Sequence, residues 1–167
     1  MTVRGLTAIL LSLAAATPGV AAARCDVKVT NADAEGTATN VRAGPSTTST
    51  IVLTLENEAL VELHVIASQG NWFRIDRIDD VEQDKNLFRG TAWIHRSQAG
   101  LSVSGGDHRL YGAPSRRSAV LLKLTPDGNM LELVDCRGEW VKAVVDEKTT
   151  GWMAPDAQCS NPMTTCS

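Results

Sequence analysis

Val41-Arg42-Ala43-Gly44-Pro45-Ser46 and Leu110-Tyr111-Gly112-Ala113-Pro114-Ser115 decide how this chain is read, because the second is a diverged copy of the first. Pro45 and Pro114 lie 69 residues apart, as do Ser46 and Ser115, Ile51 and Val120, and Leu55 and Leu124. A constant offset across turn and apolar residues alike marks an internal repeat, and a repeat constrains the architecture before any single element is assigned. Further along, Val61-Glu62-Leu63 aligns with Leu131-Glu132-Leu133, and Gly70-Asn71-Trp72-Phe73-Arg74 with Gly138-Glu139-Trp140-Val141-Lys142. Each copy closes on a tryptophan segment, Ala92-Trp93-Ile94-His95 or Gly151-Trp152-Met153-Ala154. The two tryptophans of a copy are 21 residues apart in the first and 12 in the second, so the first carries the longer hairpin.

Within each copy the patterns are those of strands. Leu60 to Val65 and Met130 to Val134 alternate partly between apolar and polar residues, as half-buried strands do. Trp72 to Asp76 and Trp140 to Val144 are rich in β-formers and too short for helices. Turn chemistry separates them at Gly44-Pro45-Ser46, Gln69-Gly70-Asn71, Pro126-Asp127-Gly128-Asn129 and Arg137-Gly138. Short strands at this spacing predict an all-β chain whose two units are small barrels or sandwiches, a barrel having five or six strands at most. The Ser/Gly-rich stretch at 100–107 reads as a linker. The expected units are therefore 24–99 and 108–167, with the Cys25 to Val29 strand and the cysteine-bearing tail outside the repeat.

Asn40-Val41-Arg42-Ala43-Gly44-Pro45-Ser46, the Gly-x-Trp before a strand and the closing x-Trp strand resemble the bacterial SH3-like domain. The first copy carries the opening motif at every fixed position. The second keeps Pro114 and Ser115 but loses the Asn, the Arg and the Gly before Pro. The resemblance implies two SH3-like barrels in tandem and a binding role in the cell envelope. It further implies contact with peptidoglycan or its peptides, or alternatively with an envelope or secreted protein as an inhibitor or accessory subunit.

The N-terminus reads as an export signal. Arg4 precedes an apolar run from Gly5 to Ala16, and Ala21-Ala22-Ala23 offers small residues for cleavage after Ala23. The run is too short to span a membrane comfortably. Arg24 stands where a lipidated Cys25 would require a small residue, which argues against a lipoprotein. Cleavage leaves residues 24–167 with one basic residue fewer, so the whole-chain net charge of −3 becomes −4. That balance argues against a nucleic-acid partner, which calls for a basic excess. The expected location is periplasmic or secreted, with no membrane span after cleavage. Four cysteines, Cys25, Cys136, Cys159 and Cys166, then read as disulfides of unassigned pairing, since that compartment is oxidising.

Chemistry is sparse. No Gly-x-Ser-x-Gly elbow occurs, and no His follows Cys136 to complete a thiol dyad. The expectation is a non-enzymatic protein without a cofactor. Asp76, Asp79, Asp80, Glu82 and Asp84 crowd one hairpin, but it lacks the central Gly of a calcium loop and includes Arg77 and Lys85, so it reads as a solvated hairpin rather than a metal site. His64, His95 and His108 are scattered. The remaining candidates are aromatic. Trp72, Trp93, Tyr111, Trp140 and Trp152 are unusual in a chain only 4% aromatic, and with Arg42 they are the candidate ligand-binding set. Aromatic faces take extended peptides and sugar rings, yet a barrel this small also needs large side chains to close its core. Each tryptophan is therefore read first as packing and second as groove lining. Arg42 is a donor either to a ligand carboxylate or to its own loop.

Overall fold

A computed structural model describes residues 22–32, 38–56, 59–104, 107–125 and 130–161. The expected leader apart from Ala22 and Ala23, the turn at 126–129 and Cys166 lie outside the described residues.

The described chain is all-β, with thirteen strands and two 3-10 turns, Arg96–Gln98 and Pro155–Ala157. The strands are β1 (Ala23–Asn31), β2 (Thr39–Arg42), β3 (Ile51–Leu55), β4 (Val61–Gln69), β5 (Trp72–Asp80), β6 (Lys85–His95) and β7 (Ala99–Val103) in the first part. They continue as β8 (Arg109–Tyr111), β9 (Val120–Lys123), β10 (Leu131–Arg137), β11 (Trp140–Val145), β12 (Thr149–Met153) and β13 (Gln158–Cys159). Alternation explains most of them. In β1, Cys25, Val27 and Val29 point inward between the exposed Arg24, Asp26 and Lys28. In β4, Val61, Leu63, Val65 and Ala67 are buried between more exposed neighbours. Gly70 and Gly138 take positive φ, 58° and 55°, at the two-residue loops joining β4 to β5 and β10 to β11, where a side chain would be strained.

Strand order shows the duplication in three dimensions. It runs β3-β2-β6-β5-β4-β1 and continues β7-β10-β11-β12-β8-β9. Adding six to each strand of the first series returns the second in reverse, so the halves are equivalent and meet where β1 pairs β7. The β1 strand, which sequence alone leaves outside the repeat, is thus the counterpart of β7.

The stretch expected as a linker is built differently. Its residues 100–103 belong to β7, because Ala99, Leu101 and Val103 alternate inward and are buried. Ala99 and Gly100 pair with β1, Gly100 and Leu101 pair with β10, and Ser102 and Val103 pair with β13. Gly100 is required at this crowded junction, since a Cβ there would approach the Ala32 Cβ to 2.8 Å and the Met130 Cε to 2.6 Å. One cluster of buried side chains runs through both halves, including Val29, Leu63, Ile75, Ile94, Leu101, Leu110, Leu133 and Met153.

A disulfide reinforces the junction. Cys25 of β1 and Cys136 of β10 are bonded, with Cα atoms 5.5 Å apart at a sequence separation of 111. Beside it the Asp26 N–H donates to the Gly138 carbonyl at 2.8 Å, and the Gly138 N–H to the Arg24 carbonyl at 2.9 Å. Cys159 is also disulfide-bonded. Because cross-links over long loops restrict the unfolded chain most, Cys25→Ala/Cys136→Ala is expected to lose about 2–5 kcal/mol of stability in denaturant unfolding.

The short β11–β12 hairpin turns on Asp146 and Glu147, both at positive φ (52° and 56°), with the Lys148 N–H donating to the Val145 carbonyl at 3.1 Å. Two left-handed residues in succession fit a type I′ turn, which favours Asn-Gly. Asp146→Asn/Glu147→Gly is expected to raise the urea midpoint, corresponding to about 0.5–1 kcal/mol, through relief of backbone strain.

Candidate binding faces

Strand alternation that sends Phe73, Ile75, Ala92 and Ile94 into the core sends Trp72, Arg74, Trp93 and His95 to the opposite side of β5 and β6. Register then gathers them: Trp72 lies opposite His95, Arg74 opposite Trp93, and Arg42 of β2 opposite Trp93. The Trp72 and His95 rings meet edge to face, 5.2 Å between centroids. Trp72 is half-buried, whereas Trp93 is 8% exposed and lies beneath its neighbours. The His95 Nδ1 is hydrogen-bonded to the Ser97 hydroxyl at 2.8 Å, which fixes the ring at the start of the 3-10 turn. Arg42 donates from Nη1 to the Ser49 carbonyl at 2.8 Å and so braces the loop at 43–50. Arg74 is half-buried, and its Nε is shielded from solvent without a hydrogen-bond partner among the described residues.

The second half places Tyr111, Trp140 and Trp152 at the corresponding positions. Trp152 lies opposite Tyr111 and Lys142. Tyr111, Trp152 and Ala154 form a small buried cluster against which Trp140 packs, its ring edge to face with Tyr111 at 5.6 Å. The Arg137 guanidinium stands over the Trp152 ring at 5.8 Å, within cation–π range. The structure therefore brings the predicted aromatics together in two sets, one per half. Arg42 is closed off by its own loop, and Trp93, Tyr111 and Trp152 are largely closed off by packing.

Charges differ between the halves. In the second, Asp107 accepts from Arg109 Nε at 2.5 Å, from the Tyr111 hydroxyl at 2.5 Å and from Arg116, whose other nitrogen donates to Asp156 at 2.6 Å. The Arg109 hydrogen bond holds the Asp107 carboxyl below its ordinary range against the opposing effect of burial, and the bond to Asp107 raises the Tyr111 phenol. Asp107, Arg116 and Asp156 correspond to Ala38, Thr47 and Ser97 in the first half. The loop at 112–119 is thus latched by ion pairs, and its counterpart by the Arg42 hydrogen bond to the Ser49 carbonyl.

On the first half, Lys28, His64 and Arg77 lie directly opposite one another across β1, β4 and β5, each paired to an acid. Lys28 meets Glu62 at 2.8 Å and Arg77 meets Asp79 at 2.6 Å. His64 is held between Asp76 at Nδ1 (2.6 Å) and Asp26 at Nε2 (2.9 Å). Asp80 accepts from the Glu82 and Gln83 N–H groups at 2.9 Å, so its carboxylate braces the hairpin turn. Among the described residues no three His, Cys, Asp or Glu side chains converge as metal ligands.

The sequence reading did not single out Arg74, His95 or the Asp107–Arg116–Asp156 set. His95 and Arg74 were detectable as the residues two beyond Trp93 and Trp72 on alternating strands. The latch joins positions 40 residues apart in sequence and had no local signal.

Burial disfavours charge on His64, but its hydrogen bonds to Asp26 and Asp76 and their negative charges outweigh this, so its pKa is raised above 6.5. The resulting stabilisation is complete below the ordinary pKa and is lost as pH rises through the folded value. Urea midpoints measured from mildly acid to mildly alkaline pH should fall across that window in the native protein, and His64→Gln should abolish this component.

No curated protein matches the chain. The family model described as Bacterial SH3 domain matches residues 37–99, which take in β2 to β6 and the first 3-10 turn and stop at the first residue of β7. Over residues 37–99 this chain is therefore similar to the bacterial SH3 domain.

Proposed function

We propose that the protein is an exported, non-catalytic binding module of the cell envelope that recognises peptidoglycan or its peptides through the outer face of its first half. The observation that carries this reading is the Trp72–His95 pair beside Arg74. A half-exposed indole fixed edge to face on an imidazole presents a ring face to a sugar or an extended peptide, and the half-buried Arg74 on the same face adds a positive charge beside it. Bacterial SH3 domains are binding modules, often of cell-wall-associated proteins, which supports the same reading. The disulfide fits an oxidising compartment and leaves Cys136 without a nucleophilic thiol. No helix of the described residues is long and apolar enough to cross a membrane. The second half, residues 100–161, is read as a diverged SH3-like module because its strand order repeats that of the first.

A second reading is an inhibitor or accessory subunit of an envelope or secreted protein. Ile51 and Val52 on β3, and Val120 and Leu121 on β9, favour it, being apolar pairs 45–50% exposed on edge strands.

Pelleting with purified sacculi separates the two. The mature protein should co-sediment, and Trp72→Ala should weaken retention about tenfold while remaining folded. Trp93→Ala should instead destabilise the protein by about 3–5 kcal/mol, because Trp93 is buried. Failure of the native protein to pellet, or undiminished pelleting of Trp72→Ala, would reject the proposal.

A further inference from the structure

The halves differ most at one end of the sheet. In the first, β4–β5 pairing continues to Val61 opposite Asp80, and the hairpin returns through β6 with Phe88 opposite Ile78. Val61 and Ile78 are fully buried there, and Leu53, Leu87 and Phe88 pack against the core. In the second half, β10–β11 pairing stops at Glu132 opposite Val144, and the hairpin turns at once on Asp146 and Glu147. Leu131, the counterpart of the fully buried Val61, has no β11 neighbour and is only half-buried, while Leu122 is half-buried like its counterpart Leu53. The hairpin is nine residues shorter between its tryptophans, and among the described residues an open cleft of about 460 Å³ lies at the position that the longer hairpin takes in the first half. Leu122, Leu124, Leu131 and Val145 form its apolar lining, and Met130, 42% exposed, stands at its mouth.

The rim is acidic. Glu132, Asp146 and Glu147 border the cleft with Lys123 as the facing cation, and none of the four forms an ion pair among the described residues. Along one side runs β9, which pairs with β8 alone among the described residues and so presents an open backbone edge.

We propose that this cleft is a docking site for an extended segment of a partner protein, one that inserts a large apolar side chain flanked by basic residues. The first half shows the kind of group that fills the position: an apolar hairpin strand carrying Leu87 and Phe88. The volume lies within the roughly 300–1,000 Å³ of ordinary ligand pockets. The open edge of β9 offers main-chain hydrogen bonds to an added strand, and the rim carboxylates select cations on either side of the anchor. The site is separate from the Trp72–His95 face, and its occupancy does not depend on peptidoglycan binding.

The test is NMR titration of the mature protein with two synthetic peptides, acetyl-Lys-Lys-Val-Phe-Val-Lys-Lys-amide and its twin with Glu in place of every Lys. The basic peptide should shift the amide signals of Leu122, Leu131 and Val145, and the acidic twin should leave them in place. Asp146→Asn/Glu147→Gln should weaken binding about fivefold. Leu122→Lys, where its amide dispersion shows a folded protein, should abolish binding. If Leu122→Lys does not fold, the charge-neutral double variant decides. Shifts located away from the cleft, equal binding of the two peptides, unchanged affinity in the double variant, or no shift at peptide concentrations up to about 1 mM would each overturn the proposal.

Discussion

Thr30 opposite Gly100 and Asn31 opposite Ala99 form the short antiparallel contact on which the molecule depends. Through it β7 closes the first half against β1 and, within the same five residues, opens the second half against β10 and β13. A strand shared in this way joins the halves directly through residues 99–103. The bare Cα of Gly100 allows the approach, and the Cys25–Cys136 bond fastens its far side. The continuous core follows, because Leu101 lies between the interiors of both halves.

Duplication has preserved the frame while exchanging the groups mounted on it. Each half keeps one buried tryptophan and one half-exposed tryptophan at matching strand positions. Around them Arg42 has become Tyr111, Arg74 has become Lys142 and His95 has become Ala154. The guanidinium that braces the first loop was thus replaced by a phenol, and loop restraint passed to Arg116 with Asp107 and Asp156. One half presents an aromatic–cationic face, and the other ties its loop with the Asp107–Arg116–Asp156 ion pairs and opens a cleft at its end instead. The frame tolerates both because Ile75, Ile94 and Met153, which hold the core, lie on the opposite side of the same strands.

Much of the frame was legible in the sequence. The 69-residue offset of Pro45 and Pro114 and the paired Gly-x-Trp turns identify the repeat, since turns and strand alternation are local and leave local traces. The equivalence of β1 and β7 was not legible: Cys-Asp-Val-Lys-Val and Ala-Gly-Leu-Ser-Val share only alternation, which any half-buried strand shows. The same weakness made 100–107 read as a linker, because Gly and Ser report flexibility in composition but close packing in this place. The six aromatic and arginine candidates do gather on two faces, yet their accessibility depends on how deeply neighbours cover them, which is a tertiary property. His64 illustrates the limit, being set between an aspartate 38 positions before it and another 12 positions after.

The Cys25–Cys136 bond has a mechanical consequence. It joins points that enclose most of β1, all of β2 to β9 and most of β10, so tension between the N-terminal and C-terminal sides of the fold passes from residue 25 to residue 136 through sulfur. The first half, with Trp72 and His95, lies in a side loop that carries none of that load. Only the strands beyond Cys136 lie in the line of force, and they can yield while the aromatic face keeps its shape.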